Sequence, residues 1–550
     1  MQASQRKAFQ KIGFSGWTIV VLAIALLVSL PVLSVLSGLF TNTQEVWKHL
    51  AETVLTTYVM NSLGLMIGVA IGVTVIGTAT AWLVTMCDFW GGRLFTWALL
   101  LPLAAPAYIL AYTYTEALEF YGPVQTALRE AFGWKSLRDY WFPNVRSLWG
   151  AVIMLVLVLY PYVYLLARSA FLSQSVSILE ASRSLGYSPW KSFTKVALPL
   201  ARPAIVAGLS LALMETLNDY ATVQFFSVDT FTTGIYRTWF GMGERIAATQ
   251  LSVLLLVFIF ALIFLERWSR GRAQYFQTSN TNQTPQKYKL NPIQGFFAFV
   301  FCFIPLLFGF LIPGRLLLGM TLENWDETFD QRFWEFAKNS LTVSGLAAIA
   351  AVIIAVILAY GLRLNRSLAM RFATQTASMG YAIPGSVIAV GILIPLGLAD
   401  NAIDAWMQST FNRSTGLLLS GTMFALIFAY LVRFLALSFS SVDASLTNIK
   451  PSLDQASRSL GHSATSTLFR VHIPLLWKGV LAAAILVFVD VMKELSATII
   501  IRPFNFDTLA VHVYNLASDE RLAEASGSAL AIVLVGLIPV IVLSWQMDRN

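Results

Sequence analysis

Charged residues are scarce in this chain of 550 residues, where they make up 12% of the composition. Soluble domains contain about a quarter. Hydrophobic residues account for 57% of the chain. Because a water-exposed protein surface needs far more charge than this, the composition excludes an ordinary soluble protein.

Cysteine and histidine are also rare, with two cysteines and four histidines. Cys87 and Cys302 fall in different predicted helices, so we expect no disulfide framework. The histidines are scattered and have no metal-ligand spacing. They are His49, His462, His472 and His512. We therefore assign no metal ligands and predict no cofactor bound by this chain.

A phosphate-binding GxxxxGK[ST] loop is absent from the sequence. The chain therefore cannot bind ATP by that route. The sequence also offers no plausible catalytic cluster. We predict that the chain is not an enzyme and that any ATP hydrolysis takes place on a separate polypeptide.

Long apolar runs, by contrast, recur throughout the chain. A bilayer core of roughly 30 Å is crossed by about 20 apolar residues in a helix. Twelve stretches meet this requirement: 17–39, 59–86, 93–115, 147–172, 203–226, 247–265, 294–314, 339–361, 372–399, 417–439, 477–500 and 526–546. We predict an all-α polytopic membrane protein with about 12 transmembrane helices.

The distribution of basic residues predicts the orientation of these helices. With the N terminus in the cytoplasm, lysine and arginine concentrate in the cytoplasmic loops, as the positive-inside rule requires. Both termini are then cytoplasmic. The net charge of +8 reflects this asymmetry, so we expect no nucleic-acid partner.

The two halves of the chain repeat one another. The sequence EASRSLG ending at Gly186 recurs as QASRSLG ending at Gly461, 275 residues later. Further matched pairs are Asn61 with Asn339, Pro106 with Pro384, Asp229 with Asp507, and Tyr236 with Tyr514. Six spans in each half keep the copies in the same orientation, so we predict two parallel six-helix repeats.

A polar stretch separates the halves. Residues 267–291 include the run SNTNQTPQ, which cannot bury a core and is predicted to be a flexible cytoplasmic linker. The predicted segments are 1–56 with the first transmembrane helix, 57–266 as the first repeat domain, the linker 267–291, 292–336 with the seventh helix and a periplasmic segment, and 337–546 as the second repeat domain.

The loop between the fourth and fifth spans is the longest cytoplasmic loop in each half. We expect Gly186 and Gly461 each to end a short helix. A helix lying flat under the membrane can seat in a groove on a soluble partner, and a rigid connection into the next span lets partner motion tilt that span. The alternative is an interfacial helix that rests on lipid headgroups.

These loops resemble the EAA loop of ABC-importer permeases: Glu-Ala-Ala, three residues, Gly, nine residues, Ile-x-Leu-Pro. The matching positions are Glu180, Ala181, Gly186, Leu198 and Pro199 in the first half, and Gln455, Ala456, Gly461, Ile473 and Pro474 in the second. Ser182 and Ser457 replace the second alanine. Ile473 replaces the leucine. Gln455 replaces the glutamate, which argues against a requirement for a carboxylate at both contacts.

The resemblance extends from about residue 57 to 541 and implies two type-1 permease domains of a type I ABC importer. In that family the loop docks in a cleft of the ATP-hydrolysing subunit. The resemblance therefore implies a permease of the bacterial inner membrane whose partners are an ATP-binding subunit, as a dimer because two loops exist, and a periplasmic substrate-binding protein. ATP would be used by the partner and would drive alternating access.

Two further segments, residues 214–240 and 492–526, closely resemble fused permeases of bacterial iron(III) importers, which makes ferric iron the expected substrate. Fused permeases of thiamine and phosphonate importers share this architecture and remain alternatives. An alternative of another class is a gradient-driven secondary transporter, although such a carrier does not need two matched docking loops.

Four acids near the ends of the fifth spans are candidates for a cation path: Glu215, Asp219, Asp490 and Glu494. Each pair is four residues apart, so on one helix its members would share a face. Carboxylates within spans are costly and are functional candidates by default. An equal alternative is that they lie in a solvated outer vestibule or bond neighbouring helices.

Overall fold

The computed structural model describes residues 16–41, 44–174, 184, 186–270 and 287–548. Regular structure in these residues is almost entirely helical. Within them the only strands are β1 (Cys87–Asp88) and β2 (Tyr288–Lys289), which pair in parallel with Cys87 opposite Tyr288.

The first part of the chain contains α1 (Gly16–Ser37), α2 (Gln44–Thr53), α3 (Leu55–Met86), α4 (Gly92–Ala98), α5 (Ala107–Leu118), α6 (Pro123–Phe132), α7 (Leu148–Ser173), α8 (Pro189–Ser192), α9 (Leu198–Asn218), α10 (Ala221–Phe225), α11 (Phe231–Tyr236) and α12 (Arg245–Arg270).

The second part contains α13 (Pro292–Leu306), α14 (Ile312–Glu323), α15 (Trp325–Thr328), α16 (Gln331–Leu364), α17 (Leu368–Ala377), α18 (Gly385–Phe411), α19 (Met423–Thr447), α20 (Pro451–Ser459), α21 (Ala464–Thr467), α22 (Ile473–Met492), α23 (Thr498–Ile501), α24 (Leu509–Ser518) and α25 (Leu522–Asp548). Short 3₁₀ turns span Gly38–Phe40, Leu101–Ala104 and Gly380–Ala382, and π turns span Phe193–Ala197, Arg237–Gly241, Leu307–Leu311 and Leu468–His472.

Membrane-spanning character follows from the length and apolarity of these helices. Among the described residues, 11 helices are long and apolar enough to cross a membrane, or 12 if one pair bent by 87° counts as a single span. The bent pair is Gly92–Ala104 with Ala107–Phe132. The prediction of an all-α membrane protein with about 12 spans is confirmed.

Matched prolines interrupt matched helices. A residue before proline is pushed towards extended backbone, as are Ala105, at ψ 123°, and Ile383, at ψ 103°. The span predicted at 93–115 is therefore bent at Pro106. The span predicted at 372–399 instead begins after Pro384, because α17 is a separate helix.

The described helices form two compact units. Unit 1 contains the residues up to Phe40 together with Asn339–Phe506, and unit 2 contains Thr41–Lys338 together with the residues from Asp507 onward. Neither unit coincides with one half of the sequence, since α1 groups with the second repeat and α25 with the first. The predicted domain boundaries along the chain stay predictions.

Helix packing in unit 2 depends on a stripe of glycines where α3 meets α7. A Cβ at Gly68 would lie 2.9 Å from the side chain of Val152, and one at Gly72 would lie 2.5 Å from that of Val156. Larger residues would push the two helices apart, so the stripe sets their close approach.

The ends of the linker are more ordered than its composition indicated. Helix α12 continues through Arg270, and β2 pairs with the strand that follows α3. Asn291 then caps α13, because its side chain accepts a 2.8 Å hydrogen bond from the Gln294 amide. The predicted linker 267–291 therefore includes the end of α12 and all of β2, and its residues 271–286 lie outside the described part.

Candidate functional site

The second predicted docking loop, residues 448–472 between α19 and α22, contains a helix that ends at a glycine. Beyond α20, the amide of Gly461 donates to the Arg458 carbonyl at 2.9 Å, and the amide of His462 donates to the Ser457 carbonyl at 3.1 Å. Gly461 has a φ of +80°. This bonding pattern closes a helix with a left-handed residue, a conformation that glycine adopts without strain.

One face of α20 is open. Gln455, Ala456 and Leu460 are exposed, and Leu460 is 77% exposed. Ser457, on the opposite side, is buried, and its hydroxyl lies 2.8 Å from that of Thr467. The serine that departs from the family motif therefore joins the docking helix to α21, while the helix presents its other face outward.

A group of polar side chains anchors α20 to α16 and to the π turn that precedes α22. The Asp454 carboxylate accepts a 2.6 Å hydrogen bond from Arg363 and lies 2.8 Å from Nε2 of the buried His472. Arg363 also donates to the Ile449 carbonyl at 2.9 Å. Burial acts to raise the pKa of Asp454, but the hydrogen bonds from Arg363 and His472 outweigh it and hold the pKa below 3.8.

Sequence reasoning missed this anchor. His472 appeared scattered because its partners come from other elements, with Asp454 18 residues away and Arg363 still farther. The feature of the sequence that could have singled out His472 was its position directly before the Ile473-Pro474 pair of the motif.

In the first docking loop, Glu180 and Ala181 lie outside the described residues. Gly186 is described and exposed, with a φ of +75°, close to that of Gly461. Gln174, at the end of α7, donates to the Ala197 carbonyl at 2.9 Å and so ties the fourth span to the start of the fifth.

Both loops join the next span through a π turn. The amide of Leu198 bonds to the Phe193 carbonyl, and the amide of Ile473 bonds to the Leu468 carbonyl, five residues back in each case. Pro199 follows the first turn and its counterpart Pro474 the second. Proline clashes with the carbonyl four residues before it, and a π turn gives the backbone room. The connection is thus helical throughout.

The four candidate acids do not share helix faces as predicted. Helix α9 ends at Asn218 and α22 at Met492, so Asp219 and Glu494 lie beyond the helices that contain Glu215 and Asp490. The spans predicted at 203–226 and 477–500 are too long for the same reason. The apolar residues that follow belong to the separate short helices α10 and α23.

Asp219 and Glu494 instead hold the starts of those short helices. Asp219 accepts hydrogen bonds from the Val223 amide at 3.1 Å and the Thr222 hydroxyl at 2.8 Å. Glu494 accepts from the amides of Ala497 at 2.8 Å and Thr498 at 3.0 Å. A carboxylate is favourable there because unpaired amides and the helix dipole point towards it.

The surroundings of the two acids differ. Arg433 lies 2.6 Å from Glu494, and the two side chains are only 7% and 1% exposed. In the part of the chain that the structure describes, no lysine or arginine forms an ion pair with Asp219. Lys493 pairs with Asp490 at 2.9 Å rather than with Glu494.

Among the described residues, no group of three or more histidine, cysteine, aspartate or glutamate side chains could hold a metal ion. A role for these acids in a cation path stays a proposal.

Comparison with known proteins identifies the family. Residues 3–273 match the family described as "Binding-protein-dependent transport system inner membrane component". These residues belong to that family. The match covers the first repeat, and the second repeat contains the same loop, glycine and proline 275 residues further on.

Two relatives match nearly the whole chain. The Fe(3+)-transport system permease protein FbpB 2 of Haemophilus influenzae is 27% identical over 492 residues, 88% of this chain and 88% of that protein. The ferric transport system permease protein FbpB of Actinobacillus pleuropneumoniae is 25% identical over 523 residues, 90% of this chain and 72% of that protein. The predicted fused two-domain permease is confirmed.

A third relative matches only part of the chain. The putative 2-aminoethylphosphonate transport system permease protein PhnV of Salmonella typhimurium is 28% identical over 236 residues, 43% of this chain and 82% of that protein. The findings together make this chain a multi-pass permease of an inner-membrane, binding-protein-dependent transport family.

Proposed function

We propose that this permease is the membrane subunit of an ATP-driven importer of ferric iron. The observation that supports the coupling most directly is the exposed helix α20, whose Ser457 hydroxyl bonds Thr467 of α21, and α21 continues as helix through Leu468–His472 into α22. A partner that moves α20 can therefore move the fifth span of the second repeat through this bond and the helical connection.

The mechanism that follows is alternating access. ATP binding closes a dimer of separate ATPase subunits, one on each docking loop, and draws the two loops together. The fifth spans tilt with their loops and open the path on the periplasmic side. ATP hydrolysis lets the loops separate again. This chain binds no ATP and catalyses no reaction.

Ferric iron is supported by the relatives that match along most of the chain, both of which are named as ferric transport permeases. A periplasmic binding protein would deliver the ion, and both termini of the permease would be cytoplasmic, so that the docking loops face the ATPase. Both docking loops would then lie on the cytoplasmic side of the membrane, where lysine and arginine concentrate.

Glycine-to-proline changes in the loops test this function. Proline cannot adopt the φ of +80° at Gly461 or +75° at Gly186, so Gly461→Pro and Gly186→Pro should redirect the docking helices. We expect uptake of radiolabelled ferric iron to fall by at least about 10-fold in each variant. Loss of coupling between two sites typically changes binding by about this factor or more. ATPase activity should no longer respond to the binding protein.

The matched control is Gly416→Pro. Gly416 also has a positive φ, +61°, and a Cβ there meets no atom within 4 Å, but it lies in the loop that precedes α19, far along the chain from either docking loop. Its uptake should stay near that of the unmodified chain. Normal uptake in both docking-loop variants would contradict the coupling role.

A second candidate substrate is 2-aminoethylphosphonate, because the third relative, which matches 43% of this chain, is named as a putative permease for that compound. Uptake of the two labelled substrates by a strain that lacks its own systems separates the candidates. Phosphonate uptake without iron uptake would overturn the proposed substrate and leave the permease assignment in place.

A further inference from the structure

Unit 2 contains a group of tyrosines beside Asp219. Tyr112 comes from α5, Tyr220 follows Asp219 directly, and Tyr514 comes from α24. The hydroxyls of Tyr220 and Tyr514 lie 3.1 Å apart. The ring of Tyr112 contacts Phe225 of α10, the short helix whose start is capped by Asp219. Three phenols and a carboxylate are thus placed around α10 by separate parts of the chain, with Tyr220 and Tyr514 lying 294 residues apart.

Tyr112 is the unusual member of this group. Its side chain is 1% exposed, and its hydroxyl has no hydrogen-bond partner among the described residues. A buried hydroxyl that is left unpaired is energetically costly. The ring is held by Phe225, with centroids 4.4 Å apart, and by Tyr108 at 5.7 Å. The phenol is therefore fixed in place with unused bonding capacity, which points to a ligand.

Charge supports the same conclusion. Asp219 has no ion-pair partner within the described ranges, whereas Arg433 neutralises its counterpart Glu494. The residue that corresponds to Tyr220, 275 positions later, is Leu495, which follows Glu494 directly. The repeat therefore keeps the helix-capping acid in both halves, but a tyrosine follows that acid directly only in the first half.

The spacing of the oxygens suits a small hard cation. Octahedral ligands at about 2.0–2.1 Å from a metal ion lie about 2.9 Å from their neighbours. The 3.1 Å between the Tyr220 and Tyr514 hydroxyls is close to this value. Trivalent iron is small and hard and prefers anionic oxygen donors, so a carboxylate with phenols that can lose their protons matches its chemistry.

We propose that Asp219, Tyr112, Tyr220 and Tyr514 form a transient binding site for ferric iron in unit 2. Each phenol that coordinates releases its proton to water and forms an oxygen–iron bond, and the iron stays trivalent. Four protein oxygens leave coordination positions for water, so the ion is held without being enclosed. The unneutralised carboxylate would repel an anion such as a phosphonate.

This site rests on the proposed ferric substrate, but its test does not require transport. Ferric nitrilotriacetate is added to the purified full-length chain, and the visible charge-transfer absorption of an iron–phenolate bond is recorded. We expect the band in the unmodified chain. Tyr112→Phe, Tyr220→Phe and Tyr514→Phe should each weaken iron binding by about 10–100-fold, and the triple variant should show no band.

The matched control is Tyr160→Phe. Tyr160 is also a fully buried tyrosine of unit 2, but its hydroxyl already donates to the Leu99 carbonyl at 2.8 Å. This variant should keep the band. Size-exclusion profiles and basal ATPase activity of the complex with its motor show whether each variant is folded.

The outcomes separate the site from the proposed function. Iron uptake with no band in the unmodified chain, or a band that persists in the triple variant, would overturn the site and leave the ferric substrate standing. Absence of iron uptake by the unmodified transporter would overturn the substrate. Uptake that falls in the three phenylalanine variants but not in Tyr160→Phe supports both.

Discussion

The segments that contain the two fifth spans, residues 198–225 and 473–501, have the same construction and different electrostatics. Each begins after a π turn, has proline at its second position and contains, after its long helix, an acid that caps a short helix. Glu494 is paired with the buried Arg433, whereas Asp219 forms no ion pair with any lysine or arginine in the described part of the chain. The repeat thus preserved the backbone role of the acid and let its charge diverge.

This difference indicates a division of roles. A buried carboxylate that is bonded to an arginine and to backbone amides has its charge satisfied and acts as a structural element. A carboxylate without a cationic partner keeps its charge available for a ligand. We therefore expect substitutions at the Arg433–Glu494 pair to change mainly the stability of the chain. Substitution of Asp219 should change mainly its binding of iron.

The largest effect should come from removing Arg433. Arg433→Met leaves the Glu494 carboxylate buried and unpaired, which we expect to destabilise the chain by about 3–5 kcal/mol. Thermal unfolding of the detergent-purified chain measures the loss. Adding Glu494→Gln removes the stranded charge and should recover most of it.

The matched variant in the other segment is Asp219→Asn. Its amide oxygen can still accept a hydrogen bond from the Val223 amide, so its stability should change far less than that of Arg433→Met. If both changes destabilise the chain equally, the electrostatic contrast between the segments is wrong.

A smaller effect is expected at the anchor of the second docking helix. Asp454→Asn weakens the bonds to Arg363 and His472, and hydrogen bonds to charged groups contribute about 1.5–3 kcal/mol. Because the folded-state pKa of Asp454 lies below 3.8, its contribution is complete above the ordinary value of 3.8 and is lost as the pH falls through the folded-state pKa.

The difference in unfolding temperature between Asp454→Asn and the unmodified chain should therefore be constant near neutral pH and shrink in acid. Uptake should fall as well, because the loosened α20 transmits less motion. A variant equally stable at neutral pH would show that the anchor contributes nothing to the loop.

The smallest effect separates two matched helix starts. Ser147 and Thr422, 275 residues apart, precede α7 and α19. The Ser147 side chain accepts from the Gly150 amide at 3.2 Å, whereas the Thr422 hydroxyl donates to the Leu419 carbonyl and caps no amide. Ser147→Ala should cost about 1 kcal/mol, and Thr422→Ala should cost less.

Thermal unfolding of the two alanine variants provides the measurement. Equal losses would mean that the cap bond at Ser147 has no energetic weight. A larger loss for Thr422→Ala would reverse the comparison and would indicate that the hydroxyl bond to Leu419 matters more than the cap.

Much of the fold was accessible from the sequence because its signals are local. A run of about 20 apolar residues specifies a span. The glycine that ends α20 and the prolines that bend or start helices act on their immediate neighbours. The errors arose where apolar composition continued past a break, as after Asn218 and Met492, since composition does not distinguish one long helix from two.

The sequence by itself determined the membrane class, the repeat and the position of the docking loops, because helix length, periodicity and terminating residues are encoded within a few turns. Only the tertiary structure decided that α1 groups with the second repeat, that Arg433 neutralises Glu494 from 61 residues away, and that Tyr514 joins Tyr220 from 294 residues away. Such partners are chosen by the packing of distant helices, which no local pattern records.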